Sequence, residues 1–276
     1  MNIGIVGMGL IGGSLAKSYS ESGHCVYGYD IDESILSFAR LSKAIGGVLD
    51  ENSIAQCEAI FIAINPGDAV AYLEHAAPNI ANNTMVIDCC GVKRFVCSRC
   101  FQIAKQYGFI FVGGHPMAGS HNAGFKNSRS NLFRGVSMIL VPPVYDDAIL
   151  IGRIEELLKP VGFGRLTVTT AEKHDEMIAY SSQMAHVVSN AYIKSPSARG
   201  HKGFSAGSYK DLTRVARLDA DMWSELLLEN SDFLISELGG FIEAVTKYKD
   251  ALAARDIDEL KKLLEEGSNL KAELDR

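Results

Sequence analysis

The chain has 276 residues, of which 47% are hydrophobic and 22% charged, with a formal net charge of -6 at pH 7. This length accommodates two domains, each with its own core, and the acidic balance excludes the basic surface by which proteins bind nucleic acids or anionic membranes. No uninterrupted apolar run reaches the roughly 18 residues of a membrane span, and no basic segment precedes the apolar N-terminus, so we expect a cytoplasmic protein.

The N-terminus carries an apolar strand pattern followed by a glycine-rich turn. Ile3 to Val6 suit a buried strand, and Gly7-Met8-Gly9-Leu10-Ile11-Gly12 follows at once. In a G-x-G-x-x-G turn between strand and helix, the glycines allow the tight turn, the approach of a pyrophosphate and close packing of helix on strand. The helix N-terminus adds partial positive charge toward the phosphates. We therefore predict a dinucleotide site formed by Gly7, Met8, Gly9, Leu10, Ile11 and Gly12.

The next predicted strand, His24 to Asp30, ends in an acid about 20 residues beyond the glycines, where dinucleotide-binding folds place the residue that binds the ribose. A carboxylate there accepts both ribose hydroxyls and repels the 2'-phosphate of NADP, and Asp32 adds to the repulsion. The pattern predicts NAD as the cofactor, with Asn65 and Pro66 as further cofactor-binding residues. The alternative is a glycine-rich turn followed by a solvated aspartate.

Further apolar runs suited to buried parallel strands recur in the first part of the chain, with helical stretches between several of them. They are Ala59 to Ile64, Met85 to Asp88, Phe109 to Val112 and Met138 to Val141. Asp147 to Leu158 is predicted as a helix and Gly164 to Thr170 as a last strand. The pattern is that of an α/β, doubly wound, Rossmann-type dinucleotide-binding domain over residues 1-169.

The pattern after Thr169 is helical only. Three helices are predicted, from Thr169 to about Lys194, from Asp219 to about Tyr248 and from Asp256 onward. Thr169-Thr170-Ala171-Glu172 matches a capping box, in which a hydroxyl and a carboxylate satisfy free N–H groups. We predict an all-helical substrate and dimerisation domain over residues 170-276. So much apolar helix in a domain of about 100 residues favours burial in a homodimer, with intramolecular packing as the alternative.

A histidine, His115, follows the predicted strand at Phe109 to Val112 in a loop of small residues. Ligands of open α/β sheets bind at the carboxyl ends of the strands, and an imidazole can take a proton from an alcohol as hydride leaves for a nicotinamide. His115 is therefore the candidate catalytic residue, and the alternative is a hydrogen-bonded loop histidine. Lys93 follows another strand and is a candidate for orienting His115 or binding a carboxylate, unless it is solvated.

Polar residues also interrupt the helical region. Ser182, Gln183, His186 and Asn190 form a stripe at helical spacing. The stripe is either a buried network or the wall of a polar pocket. Arg214 is a candidate for bidentate binding of a carboxylate, unless it forms a surface ion pair with Asp211. Trp223 alone would be assigned to the core.

The six cysteines do not predict a metal site. Cys97 and Cys100 form a single C-x-x-C, without the second pair of cysteine or histidine ligands that zinc requires. We expect reduced thiols that mostly serve packing.

Taken together, the glycine motif with Asp30, the sequence from Gly114 to Ser120, His186 and Asp211-x-Thr213-Arg214 resemble the prephenate dehydrogenase family, including its arogenate-using relatives. The resemblance covers nearly the whole chain, and its most specific element is Gly114-His115-Pro116-Met117-Ala118-Gly119 after a dinucleotide fold. It implies oxidative decarboxylation of prephenate by NAD to 4-hydroxyphenylpyruvate, carbon dioxide and NADH, on the route to tyrosine.

The resemblance also implies roles for individual residues. His115 would accept the proton of the ring hydroxyl, and Arg214 would bind a substrate carboxylate. The remaining residues assigned to the substrate site are His186, Ser120, Lys93 and Trp223. The helical domain forms a homodimer in the family. The preference between prephenate and arogenate, and inhibition by tyrosine, stay open at this stage.

The chain departs from the family pattern at three positions. Gly91 stands where many members carry a serine that hydrogen-bonds near the catalytic histidine, so that support is expected from elsewhere, such as water. Gln183 replaces the first histidine of S-H-x-x-H, and His121 replaces a frequently acidic residue. These departures bear on substrate binding and pH dependence.

Two other functions fit parts of the sequence. A hydroxyacid or imine-type dehydrogenase also joins this nucleotide fold to a helical dimer domain, but such enzymes commonly carry a catalytic lysine on the interdomain helix, and Met177 to Ile193 contains none. A non-catalytic NAD(H)-binding redox sensor would use cysteines as switching thiols, chiefly Cys89, Cys90, Cys97 and Cys100.

Overall fold

The computed structural model describes residues 1–119 and 122–275. It divides into two compact units, Met1–Asn230 and Ser231–Arg276. The expected boundary between residues 169 and 170 separates an α/β part from a helical part of the chain, and as a domain boundary it stays a prediction.

The first unit contains an eight-stranded sheet with the order β3-β2-β1-β4-β5-β6-β7-β8. The strands are β1 (Asn2–Val6), β2 (Cys25–Tyr29), β3 (Gly47–Val48), β4 (Ala59–Ile62), β5 (Met85–Asp88), β6 (Ile110–Pro116), β7 (Ser137–Val141) and β8 (Arg165–Val168). The order reverses beside β1, as expected for a doubly wound fold. Two-residue β3 was not predicted, because so short a strand carries no periodicity of its own.

The expectation of parallel pairing is wrong for β7. This strand pairs antiparallel with β6, with His115 opposite Ile139, whereas β7 and β8 pair in parallel. A parallel neighbour needs a crossover connection, usually a helix. Between β6 and β7 the described residues form only a short turn of 3-10 helix, Phe125–Asn127, so the chain returns in the opposite direction.

Helices cover the two faces of this sheet. They are α1 (Leu10–Glu21), α2 (Glu33–Leu41), α3 (Glu51–Ile54), α4 (Pro66–Ala76), α5 (Arg94–Tyr107) and α6 (Ala148–Leu158). Successive strand residues face opposite sides, so in β4 Phe61 packs with Leu15 in one core, and Ile60 packs with Leu73 in the other. These cores hold the carboxyl ends of the strands in place.

The helical region begins with one continuous helix that contains a π-helical segment. It comprises α7 (Ala171–Ile178), a π-helical segment (Ala179–Met184) and α8 (Ala185–Tyr192). The predicted capping box at Thr169 is wrong, because Thr170 is the N-cap and its hydroxyl accepts from the N–H of Lys173. Glu172 therefore does not stand at the position where a capping box needs it.

The predicted helix from Asp219 to Tyr248 is interrupted. After α9 (Gly207–Thr213), the chain forms α10 (Ala220–Glu229), and Asn230 leaves the helical conformation before α11 (Ser231–Ala254) begins. The Asn230 side chain is fully buried and makes three hydrogen bonds. These tertiary bonds override a helical pattern that is continuous in the sequence.

The second unit consists of α11 and α12 (Ile257–Leu274), as the sequence predicts for the last helix. Asp256 caps α12, and the Tyr248 hydroxyl donates to the carbonyl oxygen of Leu263. Several large apolar side chains of this unit are exposed: Ile235, Ile242, Val245, Leu252 and Leu264. None of the helices in residues 1–119 and 122–275 has the length and apolar character that crossing a membrane requires.

Candidate active site

The glycine-rich turn has the geometry that a bound pyrophosphate needs. Gly7 lies in the left-handed region with φ +84°, which makes the sharp turn after β1, and a Cβ on Gly12 would lie 1.9 Å from the carbonyl oxygen of Gly7. A Cβ on Gly9 would meet no atom within 4 Å, so the chain is open at that position. No side chain caps α1 at Gly9. Gly7 and Gly12 are thus required by the backbone geometry of the turn, whereas Gly9 leaves open space beside the chain.

Asp30 follows β2 and borders this turn. Its Oδ2 accepts a hydrogen bond from the backbone N–H of Met8, at 2.8 Å, and its Oδ1 accepts from the N–H of Asp32, at 3.0 Å. A carboxylate offers about four lone-pair positions, so both oxygens can still accept bonds from a ligand. Asp30 is thereby held beside the glycine turn, as the spacing in the sequence predicts.

A cavity of about 530 Å³ lies beside Asp30 and along α4. Its lining includes Gly7, Leu49, Ile54 and Ile64, which provide an apolar interior, and four carboxylates. The carboxylates belong to Asp30, Asp50, Glu51 and Asp68. An apolar slot with an acidic rim suits an adenosine group whose ribose hydroxyls donate to Asp30, and it disfavours a further phosphate.

The residues after β4 lie beside the same turn. Asn65 is the N-cap of α4, Pro66 occupies its first turn, and a Cβ on Gly7 would lie 2.4 Å from the Ile64 side chain. The N–H of Gly67 is taken by Glu225 of α10, at 2.6 Å. The open position at Gly9, the uncapped start of α1 and the cavity beside Asp30 together fit a dinucleotide, and these residues would hold its phosphates and adenosine.

His115 lies near the end of β6 and is partly buried. The strand is fixed there by Asp88, the last residue of β5, whose Oδ1 accepts from the N–H of Gly114 at 3.1 Å. His115 thus belongs to β6 itself and not, as the sequence predicts, to a loop after Val112, but it still lies at the carboxyl end of the strand.

Lys93 contacts Asp88 rather than solvent or an open crevice. Its side chain is fully buried, and its Nζ forms an ion pair with Asp88 Oδ2. Burial alone would lower the pKa of Lys93, but the neighbouring Asp88 outweighs that effect and raises it above the ordinary value. The predicted role of Lys93 in substrate binding does not fit this placement. Its charge instead holds the loop between β5 and α5.

Two residues of α7 that the sequence does not single out are linked to His115, because His174 contacts it and Asp175 contacts His174. Nδ1 of His115 lies 2.9 Å from Nε2 of His174, and Nδ1 of His174 lies 2.7 Å from Oδ1 of Asp175. Asp175 also accepts from the backbone N–H groups of Lys93 and Arg94, at 2.7 and 2.9 Å. A signal for His174 existed, because it lies one helical turn before buried Ile178 and so shares its face.

The electrostatics of this cluster favour neutral imidazoles. Burial lowers the pKa of His115 well below its usual range, and the neighbouring His174 and Lys93 lower it further. Burial also lowers the pKa of His174, with Asp175 opposing this in part. Burial acts to raise the pKa of Asp175, but the hydrogen bonds from His174 and Arg94 outweigh it, so the carboxyl stays ionised. His115 is therefore available as a proton acceptor at neutral pH.

A second group of predicted residues comes together between α8 and α10. The rings of His186 and Trp223 lie 4.2 Å apart, and His186 Nδ1 donates to the carbonyl oxygen of Ser182 at 2.8 Å. Burial lowers the pKa of His186, the Ser182 carbonyl opposes this, and the charge of Arg214 lowers it further. Arg214 is thus near His186. Within the described residues no hydrogen bond or ring contact joins His115 to this group.

Arg214 ends α9 with its side chain exposed. In the described part of the chain no ion pair joins it to Asp211, so the alternative of a surface pair does not apply. An exposed guanidinium beside His186 can bind a carboxylate in two-point fashion.

The polar stripe divides into two parts. Gln183 is buried, donates to the carbonyl oxygen of Leu226 and accepts from Asn230, while Asn190 donates to the carbonyl oxygen of Ala216. These two residues form a satisfied network that ties the helices together. His186 is only partly buried and remains a candidate for the pocket wall. Ser120 and His121 lie outside the described residues.

The four cysteines that a redox sensor would use, Cys89, Cys90, Cys97 and Cys100, are unsuited to a thiol switch. Cys90, Cys97 and Cys100 are buried, and burial raises the pKa of the Cys100 thiol to about 12. Burial also raises the pKa of Cys89. Because the thiolate is the reactive form, thiols with raised pKa values react slowly. This environment argues against a redox sensor.

Comparison with known families gives two matches along the chain. The model described as prephenate dehydrogenase, nucleotide-binding domain, matches residues 15–167. The model described as prephenate dehydrogenase, dimerization domain, matches residues 170–266. The two matches together cover the chain from within α1 through most of the helical region, and β1 and the glycine-rich turn lie before the first of them.

Individual proteins show the same likeness. A cyclohexadienyl dehydrogenase from Zymomonas mobilis is 29% identical, with 94% of this chain and 91% of that protein aligned. A prephenate dehydrogenase from Bacillus subtilis is 27% identical, over 93% of this chain and 71% of that protein. A solved structure of prephenate dehydrogenase from A. aeolicus, in complex with hydroxyphenyl propionate and NAD+, is 27% identical, with a TM-score of 0.82 over 99% of this chain and 98% of that chain.

Proposed function

The chain belongs to the prephenate dehydrogenase family, and we propose that it catalyses the NAD-dependent oxidative decarboxylation of prephenate to 4-hydroxyphenylpyruvate. The observation that carries the proposal is the position of His115, a partly buried and neutral imidazole at the carboxyl end of a central strand in a dinucleotide-binding fold. The A. aeolicus structure with NAD+ and the Zymomonas mobilis relative support the cofactor and the cyclohexadiene substrate class.

His115 acts as the general base in this proposal. It takes the proton of the ring hydroxyl, which makes the same carbon a better hydride donor. NAD, when bound, supplies the acceptor for that hydride. The hydroxyl-bearing carbon becomes a carbonyl, and the ring carboxylate leaves as carbon dioxide, so that the electron pair of the broken bond completes an aromatic ring. Besides supplying the base, the protein holds the substrate so that this carbon lies next to the cofactor.

Arg214 binds a substrate carboxylate, and His186 and Trp223 form the adjoining wall of the substrate pocket. The exposed guanidinium and its effect on the pKa of His186 support this assignment. Ser120, five residues after His115 in the sequence, completes the proposed set. A carboxylate paired with a fixed guanidinium gains both charge neutralisation and orientation.

The helices of the second unit form a homodimer in this proposal. The match of residues 170–266 to a dimerization domain supports it. The exposed side chains of Ile235, Ile242 and Val245 on α11, and of Leu264 on α12, are apolar surface that a second copy would bury.

The proposed reaction is tested by following NADH formation with purified protein. We expect turnover with prephenate and NAD, and a much lower kcat/KM with NADP. Arogenate is assayed in parallel, since a single keto or amino group distinguishes the two substrates. Turnover with arogenate alone would show that the substrate is arogenate and not prephenate. No turnover with either substrate would refute the proposal.

The role of His115 is tested by the variant His115→Asn. The amide nitrogen of asparagine can replace Nδ1 toward His174, but nothing replaces Nε2, so kcat should fall at least about 100-fold while the affinity for NAD stays similar. His24→Asn is a matched control, because His24 contacts the N-terminus instead. A native kcat in His115→Asn would remove His115 from the mechanism.

A further inference from the structure

Asp175, His174 and His115 form a continuous chain of hydrogen bonds that runs from the start of α5 to the end of β6. The three contacts are short: the N–H of Lys93 to Asp175 at 2.7 Å and Asp175 to His174 at 2.7 Å, both buried, and His174 to His115 at 2.9 Å, which is partly buried. His174 is 2% exposed and Asp175 is 0% exposed. Solvent therefore does not compete for these positions.

The donor in each of these hydrogen bonds can be assigned by starting from Asp175. An ionised carboxylate only accepts hydrogen bonds, so the proton between Asp175 and His174 lies on His174 Nδ1. In a neutral imidazole the other nitrogen is then an acceptor. Nε2 of His174 therefore accepts, and Nδ1 of His115 must carry the proton that it accepts. His115 is left with its lone pair on Nε2.

We propose that His174 and Asp175 are positioning residues that hold His115 in the tautomer with Nε2 unprotonated, and so direct its basic nitrogen at the substrate. This inference rests on the proposed function, because it gives the base of that reaction its tautomer. The arrangement parallels other catalytic histidines, in which a carboxylate acts on the imidazole without itself taking the proton. Here a second imidazole lies between the carboxylate and the base.

The anchoring of Asp175 makes the arrangement rigid. Its oxygens accept from two backbone N–H groups, those of Lys93 and Arg94, and from the Nε of Arg94 at 3.3 Å. Its own backbone carbonyl accepts from Asn230 at 2.8 Å. These bonds hold the carboxylate toward His174. Groups held in this way keep a catalytic orientation without reorganisation during the reaction.

No other side chain of the described residues hydrogen-bonds to His115. Gly91, in the loop after β5, offers no hydroxyl, and a Cβ there would already lie 3.2 Å from Leu226. The support that a serine at this position would otherwise provide therefore comes from α7. The charged and titratable groups facing His174 are Asp175 on its own helix, Lys93 and Asp88 from the β5–α5 region, and His115 from β6.

The first experiment compares His174→Ala with His174→Gln. The alanine variant removes the acceptor for His115 Nδ1, and we expect kcat to fall at least about tenfold with little change in the KM for prephenate. The glutamine variant can place a carbonyl oxygen near the position of Nε2, and we expect it to retain most of kcat. His24→Ala is the matched control. A native kcat in His174→Ala, or an equal loss in both folded variants, would overturn the proposal.

The pH profile separates positioning from a merely structural role. In His174→Ala, water that enters the space of the imidazole should let the pKa of His115 rise, because burial is the largest of the causes that lower it. The acid limb of kcat/KM should therefore move to higher pH. An acid limb at its native position together with a reduced kcat would count against the proposal.

Nitrogen NMR of histidine-labelled native protein tests the tautomer without using activity. We expect His115 to show a protonated Nδ1 and an unprotonated Nε2, and His115→Asn identifies its signals. A native His115 that is protonated on Nε2 would refute the inference even if prephenate is turned over. The expected tautomer in a chain that oxidises neither substrate would refute the proposed function alone. Because it uses the native protein, this measurement tests the tautomer of His115 even if His174→Ala does not fold.

Discussion

The imidazole of His186 lies 4.2 Å from the indole of Trp223, with their planes inclined by 33°. His186 belongs to α8 and Trp223 to α10, so the contact joins two helices that are separated by the connection through α9. Arg214 stands at the end of α9, and its charge lowers the pKa of His186. An aromatic wall beside an exposed guanidinium is a suitable place for a small cyclic carboxylate.

The variant Arg214→Ala tests this assignment. Removal of the guanidinium leaves a substrate carboxylate without its partner, so the KM for prephenate should rise at least about tenfold, consistent with loss of a charge-assisted hydrogen bond, while kcat changes less. Arg217→Ala is the matched control, because Arg217 is also exposed and lies three residues further along the chain. A native KM in Arg214→Ala, or an equal rise in both variants, would reject the carboxylate contact.

The lowered pKa of His115 predicts the pH dependence of the native enzyme. A general base is active when unprotonated, so activity is lost as the pH falls through its pKa. Burial, His174 and Lys93 place that pKa well below 6.5, and kcat/KM for prephenate should therefore stay level as the pH is lowered through 6.5. The measurement is kcat/KM against pH with NAD saturating. An acid limb centred at or above 6.5 would contradict the proposed environment of His115.

Asp30→Ser tests the discrimination between cofactors. The change removes the carboxylate that borders the cavity, so the kcat/KM with NAD should fall and the preference for NAD over NADP should shrink at least about tenfold. Asp256→Ser is the control, since Asp256 is exposed and serine can still cap α12. Full retention of the NAD preference in Asp30→Ser, with native folding, would contradict the role given to this carboxylate.

The sequence predicts most of the strands, the glycine turn and the position of Asp30, because each of them depends on local chemistry. Apolar runs mark buried strands, and the closest approach in the turn, between Gly12 and the carbonyl of Gly7, tolerates only glycine. The antiparallel direction of β7 was missed because strand patterns carry no direction. It follows instead from the connection after β6, which lacks a crossover helix among the described residues.

The environment of His115 could not be predicted from the sequence, for a different reason. His174 and Asp175 lie about 60 residues beyond it in the chain, and only the packing of α7 against α5 brings the three side chains together. The break at Asn230 likewise depends on partners from distant segments, Arg94 and Asp175. Sequence spacing identifies groups that share one element, whereas the polar network joins groups from different elements.

Gln183→Ala tests whether the residue that replaces a family histidine serves the fold. Gln183 is 2% exposed, and its amide joins the carbonyl oxygen of Leu226 to the side chain of Asn230, each at 2.8 Å. Alanine would leave these buried groups short of a partner, so the free energy of unfolding should fall by about 1–3 kcal/mol in chemical denaturation.

Gln56→Ala is the matched control for this change, because the exposed amide of Gln56 contacts only the carbonyl oxygen of Asn52 one turn earlier. Its effect on the free energy of unfolding should stay within about 0.5 kcal/mol. If Gln183→Ala were equally mild but raised the KM for prephenate, Gln183 would belong to the substrate pocket after all. The opposite pattern, a loss of stability with a native KM, is the one expected from a side chain enclosed between the π-helical segment and α10.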